Sequence, residues 1–208
     1  MTDEHHSHKH PLQTDHPEPS SHYELMGIAL NDLLVSKGIY DNAEMNAMIE
    51  SIENIEPNTH GARVVARAWV DPEYKAFLLK DGMSAVESLG LDPGYAVLTA
   101  LENTPEVHNL VVCTLCSCYP RFLLGRPPVW YKSKAYRSRV VKEPRAVLRE
   151  FGTEISPGVE VRVHDSTAEL RYIVIPMRPA GTEGMSESEL ASQVSRDSMI
   201  GTALAGRP

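Results

Sequence analysis

The sequence lacks a hydrophobic run of the ~20 residues that a transmembrane helix needs, and its His-rich start lacks the apolar stretch of a signal peptide. We therefore expect neither an exported nor an integral membrane protein, and we expect the chain in the cytoplasm. Acidic residues outnumber basic ones: the chain has 28 aspartates and glutamates and 20 lysines and arginines, which gives a net charge of −8. This balance argues against binding to nucleic acid or to an anionic membrane surface.

Aromatic residues are also scarce, at 6% of the 208 residues, whereas 15 residues are proline. Hydrophobic residues make up 42% of the chain, which is enough to bury one core. The sequence therefore predicts one ordinary domain with a loop-rich surface, extended by an arm.

Composition divides the chain into four segments. Residues 1–21 are rich in histidine, proline and acidic residues and contain almost no apolar side chains, which predicts a disordered tail. His5, His6, His8 and His10 in this tail are consistent with metal capture or with a simple solvated surface. We expect the other three segments to be a helical arm that packs on a partner subunit, a sheet-bearing domain and a flexible end: residues 22–90, 91–202 and 203–208.

The spacing of apolar residues changes from helical to strand-like after Gly90. Before it, Asp41 with Glu44 predicts a capping box, and Asp71-Pro72 predicts the start of another helix. After it, short apolar or β-branched runs predict four strands, at residues 95–101, 107–112, 159–164 and 170–175. The last two are expected to pair through a turn at 165–167. Helices are expected at 129–140, at 144–151 and after Ser186. The predicted class is α+β, with a layered α/β C-terminal domain.

All three cysteines lie in one short segment, Cys113-Thr114-Leu115-Cys116-Ser117-Cys118. Sulfurs at positions i, i+3 and i+5 converge only if the backbone curls tightly, and that curl points the amides of Ser117 and Cys118 inward. Three thiolates together with two deprotonated amides suit a trivalent ion, Co(III) or Fe(III), better than Zn(II). The segment therefore predicts a metal site.

Other interpretations of the cysteines remain open. A structural zinc needs a fourth ligand, for which His108 or His164 is available, and an iron–sulfur cluster needs a fourth cysteine. A disulfide between Cys116 and Cys118 is disfavoured by geometry and by compartment. A metal-binding or redox module without catalysis is a further alternative, from another functional class.

The cysteine segment resembles the metal-binding claw of the nitrile hydratase α subunit, whose relatives include the catalytic γ subunit of thiocyanate hydrolase. The similarity covers about residues 23 to 202. The other segments that carry it are residues 61–72, 102–109, 130–132, 136–139, 178–183 and 196–201. The resemblance implies the fold of that family and its activity as a lyase that hydrates a nitrile to the amide.

The resemblance also implies a ligand set and a reaction. Cys113 would be the unmodified axial thiolate, and Cys116 and Cys118 would be oxidised to the sulfinate and the sulfenate. The amides of Ser117 and Cys118 would complete the plane and leave the sixth position open for substrate. Thr114 resembles the cobalt-type members, so Co(III) is expected in preference to Fe(III). Cys118, Ser117 and Cys116 would then be the catalytic residues.

Further expectations concern the surroundings of the metal. The family takes two arginines for its oxidised cysteines from a β-type subunit, which here is one chain or two, and a metallochaperone or activator is a further expected partner. Asp165 and Glu169 stand where the family places acids near the site, and Arg171 is expected to be their counter-ion. Arg137 and Arg139 are expected on a solvated or subunit-facing surface.

The sequence departs from the family pattern directly after the cysteines. Many nitrile hydratases have Tyr-Pro-Trp-Pro there, whereas this chain has Tyr119-Pro120-Arg121-Phe122. Arg121, with Tyr119, is expected to line the substrate pocket and to favour a polar or anionic substrate. An arginine at this position resembles the pattern of thiocyanate hydrolase and also that of three-subunit nitrile hydratases, which act on bulky heteroaromatic nitriles. Alternatively, Arg121 could turn away and pair with a carboxylate of a partner chain. The short segment 90–101 favours nitrile hydratase.

Overall fold

The computed structural model of the protein describes residues 22–41, 43–45, 47 and 60–206. The predicted tail 1–21 and most of the helix predicted after Asp41 lie outside the described residues. The helices are α1 His22–Ser36, α2 His60–Val70, α3 Pro72–Lys80, α4 Gly82–Glu87, α5 Arg121–Leu124, α6 Val129–Lys132, α7 Lys134–Arg139, α8 Pro144–Glu150, α9 Glu187–Ala191 and α10 Arg196–Ile200. The strands are β1 Val97–Glu102, β2 Val107–Val112, β3 Glu160–Asp165 and β4 Leu170–Ile175.

The four N-terminal helices differ in their burial. Helix α1 carries exposed apolar side chains along its length, such as Leu25 and Ile28. Helix α2 is buried in the main core, where a Cβ on Gly61 would approach side-chain atoms of Leu124 and Met199 to 2.7 Å. A larger residue at this position would require the ends of these two side chains to shift, so the glycine favours the close packing of α2 against α5. Residues 60–87 share their core with the strands, and the division at residue 90 stays a prediction.

Local capping signals place several helices as predicted. Asp71 accepts a hydrogen bond from the Tyr74 amide at 2.9 Å and begins α3. Ser186 and Glu189 form the predicted capping box of α9, and Asp41 and Glu44 exchange the expected pair of hydrogen bonds. Helices α4, α5 and α10 were not predicted, because each has only four to six residues and too little periodicity to detect.

The sheet topology corrects one prediction. Strand β3 pairs in parallel with β2, and β4 pairs in parallel with β1, so the predicted pairing of β3 with β4 is wrong. The Ser166 amide extends the β2–β3 ladder by donating to the Val112 carbonyl at 2.7 Å, and the chain then crosses to β1, where Val97 donates to the Glu169 carbonyl. The carboxyl ends of β2 and β3 consequently lie side by side.

The predicted helix over residues 129–140 is interrupted. Ser133 has extended backbone angles and its hydroxyl caps α7 by accepting from the Tyr136 amide at 3.0 Å. The break turns α6 and α7 so that Tyr131 and Tyr136 are both buried, next to Trp130. The mixture of helices with two parallel strand pairs confirms the α+β class. None of the helices in the described residues has the length and apolar character needed to cross a membrane.

Candidate metal centre

The three cysteines come together in the loop that follows β2. We call residues 113–118 the cysteine loop. The Sγ atoms of Cys113 and Cys116 lie 3.5 Å apart, those of Cys116 and Cys118 lie 3.2 Å apart, and all three fall within 4.8 Å of one another. Cys113 and Cys118 are buried and Cys116 is exposed, and all are free thiols. The loop therefore has the curl that was predicted from the spacing of the cysteines.

Burial and mutual hydrogen bonding shift the pKa values of Cys116 and Cys118 in opposite directions. Desolvation raises the pKa of Cys118 to about 12. The hydrogen bond from Cys118 lowers the pKa of Cys116. A cation that binds all three sulfurs must therefore displace the proton of Cys118, because the thiolate is the metal ligand.

Asp165 holds the beginning of the cysteine loop. Its carboxylate accepts hydrogen bonds from the Thr114 amide at 2.8 Å and from the Thr114 hydroxyl at 2.6 Å. Parallel pairing of β2 with β3 sets Asp165 opposite Val112, which places the carboxylate beside the loop. The structure thus brings this predicted residue to the site.

Two residues that we did not assign to the site also hold the loop. The Tyr131 hydroxyl donates to the Cys118 carbonyl at 2.9 Å, and Arg137 Nη1 donates to the Thr114 carbonyl at 3.3 Å. Arg137 was expected on a solvated or subunit-facing surface; its side chain is half-buried and also contacts the loop, and whether it faces another subunit stays a prediction. Both residues belong to the segments 130–132 and 136–139 that carried the family resemblance, and that was the available signal.

Glu169 and Arg171 lie differently from what we expected. The Glu169 carboxylate accepts from the Thr167 hydroxyl at 3.3 Å and is exposed. Arg171 makes no ion pair with Asp165 or Glu169 and instead donates to the carbonyls of Thr167 and Leu170. Its charge nevertheless acts on the cysteine loop, since it opposes the rise in the pKa of Cys118 that burial causes. The proximity of Glu169 and Arg171 to a metal stays a prediction.

Arg121 and Arg171 line one small depression next to the cysteine loop. Tyr95, Phe122 and the buried Tyr119 are among its other lining residues. The Tyr119 hydroxyl donates to the Leu124 carbonyl at 3.3 Å, so this polar group is turned into the core. The structure thus places two arginines that are 50 positions apart in the sequence on the wall of one depression. The role of Arg121 and Tyr119 as pocket residues stays a prediction.

The donor set fits a metal that takes three sulfurs from side chains and its other ligands from the backbone. Among the described residues, no histidine or carboxylate joins the three cysteines as a fourth ligand. His108 uses its two ring nitrogens on Asn103 and on the Gly201 carbonyl, and His164 pairs with Asn109 at 2.9 Å. The four-ligand zinc alternative therefore finds no support in this geometry, whereas the Ser117 and Cys118 amides lie within the loop.

Comparison with known proteins gives consistent results. A family model described as nitrile hydratase, alpha chain, matches residues 21–203. The chain is 49% identical to the high-molecular-weight cobalt-containing nitrile hydratase subunit alpha of Rhodococcus rhodochrous, covering 94% of this chain and 97% of the relative. It is 51% identical to the cobalt-containing subunit of Pseudonocardia thermophila, covering 83% and 86% of the two chains. It is also 40% identical to the thiocyanate hydrolase subunit gamma of Thiobacillus thioparus, covering 90% and 82%.

Solved structures show the same relationship. A recombinant thiocyanate hydrolase comprising partially modified cobalt centres superposes with a TM-score of 0.80 at 40% identity, over 89% of this chain and 90% of that chain. A double mutant of the Fe-type nitrile hydratase from Comamonas testosteroni Ni1 gives a TM-score of 0.80 at 39% identity, over 88% and 90%. The family predicted from the sequence is confirmed, and the chain belongs to the nitrile hydratase alpha-chain family.

Proposed function

We propose that this chain is the metal-bearing catalytic subunit of a cobalt nitrile hydratase, which adds water to a nitrile and releases the amide. The observation that carries the proposal is the convergence of three free cysteine sulfurs within 4.8 Å in one loop. Cobalt is supported by Thr114 in the loop and by the relatives of about 50% identity whose names include cobalt.

The residues that would hold the metal are the sulfurs of Cys113, Cys116 and Cys118 and the amide nitrogens of Ser117 and Cys118. Bound there as Co(III), cobalt would act as a Lewis acid that makes the carbon of the nitrile electrophilic. The oxidation of Cys116 to a sulfinate and of Cys118 to a sulfenate is part of this proposal, with dioxygen as the external oxidant that supplies the three oxygen atoms.

The chain itself orients the reacting groups. Asp165, Arg137 and Tyr131 hold the backbone of the cysteine loop at Thr114 and Cys118, so the ligand geometry is established before substrate enters. The sulfenate oxygen of Cys118 would take one proton from the attacking water while the water oxygen bonds to the nitrile carbon and one carbon–nitrogen π bond breaks, which leaves its electron pair on nitrogen. The sulfenic acid would then return that proton to the nitrogen, and the second water proton would move from oxygen to nitrogen as the imidic acid becomes the amide, so that one water molecule is consumed for each amide.

A β-type partner, of one chain or two, completes the proposal. Oxidised sulfurs carry negative charge and need cationic donors, and we assign these to two arginines of the partner. Exposure of Leu115 and Cys116 leaves the outer side of the cysteine loop open to such a chain. Delivery of cobalt by a metallochaperone or activator and a cytoplasmic location belong to the same proposal. The arrangement with two partner chains would suit a bulky or heteroaromatic nitrile.

A second candidate is the catalytic subunit of a thiocyanate hydrolase. Thiocyanate is an anion, and two molecules of water convert it to carbonyl sulfide, ammonia and hydroxide. The observation that favours this candidate is the depression next to the loop, which both Arg121 and Arg171 help to line.

The test is metal analysis and mass spectrometry of the chain co-expressed with its β-type partner, followed by product assays. We expect about one cobalt per chain, with two added oxygen atoms on Cys116 and one on Cys118, and amide formed from a nitrile without ammonia. Ammonia and carbonyl sulfide from thiocyanate would establish the second candidate instead. Zinc with unmodified thiols would refute both and indicate a non-catalytic module. A Cys116→Ala variant should lose turnover, and retained turnover would contradict the proposal.

A further inference from the structure

One buried phenol holds the end of the cysteine loop. Tyr131 is fully buried, and its hydroxyl donates to the Cys118 carbonyl at 2.9 Å. Because no water reaches this position, loss of the hydroxyl would leave the carbonyl without a replacement donor. Helix α6 fixes the ring by packing it edge-on against Tyr119, with ring centres 5.2 Å apart.

The loop is thereby held at both ends from different parts of the fold. Asp165, at the end of β3, binds Thr114, and Tyr131, on α6, binds Cys118. The backbone between these two points must span a fixed distance, and Cys116 and Ser117 lie within that span. The separation between the two anchoring contacts thus constrains how closely the three sulfurs approach one another.

Ser166 adds a second polar group at the same place. It is buried, its amide donates to the Val112 carbonyl, and its Oγ has no hydrogen-bond partner among the described residues. The Ser166 side chain lies beside the Tyr131 hydroxyl, where it opposes the rise in the pKa of that phenol that burial causes. Ser166 is therefore a position at which the polarity around the phenol can be changed while the ring of Tyr131 stays in place.

We propose that Tyr131 is a positioning residue for the metal centre, which fixes the Cys118 carbonyl and thereby directs the Cys118 sulfur and amide toward the metal. This inference rests on the function proposed above and assigns a role that the ligand set does not include. Tyr131 acts through Cys118 and does not touch substrate.

Tyr136 provides a matched control. It is also buried, its ring lies 5.8 Å from that of Tyr131, and its hydroxyl donates to the Val111 carbonyl at 2.7 Å. Removal of either hydroxyl deletes one hydrogen bond from a buried phenol to a backbone carbonyl. Only the acceptor differs, because Val111 belongs to strand β2 and Cys118 belongs to the cysteine loop.

The experiment compares Tyr131→Phe with Tyr136→Phe in the complex purified with its β-type partner. We expect both variants to lose similar thermal stability. Tyr131→Phe alone should shift the sulfur-to-cobalt charge-transfer absorption, release cobalt to a chelator roughly 10-fold faster and lower kcat with little change in KM. Ser166→Ala, which leaves the ring in place, should shift the same absorption by a smaller amount.

The outcomes separate this inference from the proposed function. A wild-type complex that contains no cobalt refutes the proposed function. A cobalt-containing wild type in which Tyr131→Phe matches Tyr136→Phe in absorption and cobalt release overturns the role of Tyr131. If Tyr131→Phe fails to assemble, a Ser166→Ala variant with a wild-type absorption spectrum overturns it equally.

Discussion

Asp165 accepts two hydrogen bonds from Thr114, at 2.8 Å from the amide and at 2.6 Å from the hydroxyl. The residues are 51 positions apart and meet because β2 and β3 pair in parallel, with Val112 opposite Asp165. A carboxylate acceptor forms stronger hydrogen bonds than a neutral one. The cysteine loop is therefore anchored to the neighbouring strand at its second residue, next to the buried Cys113.

Asp165→Asn tests this anchor. The amide keeps one acceptor oxygen but loses the charge, so Thr114 can satisfy only one of its two donors in the same way. We expect kcat or cobalt content to fall roughly 10- to 100-fold in the assembled enzyme, measured by steady-state kinetics and metal analysis. Glu160→Gln is the control on the same strand, since Glu160 is exposed and pairs with Arg162. Equal behaviour of the two variants would show that the anchor has no role in the site.

Arg121→Trp tests the choice of substrate. The substitution removes one of the two guanidinium groups at the depression beside the loop and replaces it with the residue found in many family members. We expect the ratio of kcat/KM for an alkyl nitrile to that for thiocyanate to rise by ~10-fold, the effect of losing one charged interaction. Arg121→Lys keeps the cation and should leave the ratio nearer to wild type. An unchanged ratio in Arg121→Trp would indicate that Arg121 points away from the substrate.

Gly201→Ala tests the packing of α10 against β2. Gly201 has φ of 91°, and a Cβ there would lie 2.0 Å from the Asn109 carbonyl oxygen. Backbone strain and the clash with backbone together should cost about 3 kcal/mol or more, and lower Tm by roughly 6–12 °C. Gly184→Ala, where a Cβ meets nothing within 4 Å, is the control. Thermal unfolding should separate the two variants clearly, and equal Tm values would contradict this account.

His108 predicts a dependence of stability on pH. Burial lowers the pKa of His108 below its usual 6.5, and the Gly201 carbonyl opposes this effect. Because the unfolded chain then binds a proton more readily than the folded chain, stability is present above pH 6.5 and is lost as the pH falls through the folded pKa. His164, whose pKa burial also lowers, contributes in the same direction.

The corresponding variant is His108→Gln. Its Tm at pH 7 should be lower than that of wild type, because the substitution removes the buried hydrogen bond between the His108 ring and the Gly201 carbonyl. The decrease in Tm between pH 7 and pH 5 should nevertheless be smaller than in wild type, as measured by thermal unfolding at several pH values. His22→Gln, at an exposed position on α1, should keep the wild-type pH dependence. A decrease as steep in His108→Gln as in wild type would refute the assignment.

Sequence reasoning succeeded where the relevant residues are neighbours in the chain. The capping pairs Asp41 with Glu44 and Ser186 with Glu189 are three positions apart and appear as predicted. The break at Ser133 was missed, because a serine that interrupts one helix by capping the next has the same sequence signal as a serine within a helix.

The sequence by itself determined the cysteine cluster and the family. Three sulfurs within six residues can meet through one turn of the backbone, so their convergence is a local property that requires no knowledge of the rest of the fold. The α+β class followed from local periodicity for a similar reason.

Only the tertiary structure decided what surrounds the cysteines. The strand partners of β3 and β4 depend on long-range pairing, which local patterns do not specify. Asp165, Arg137 and Tyr131 reach the loop from 51, 23 and 13 positions away, from the end of one strand and from two short helices. The burial around these contacts forms only when the core folds, and it raises the pKa of Cys118.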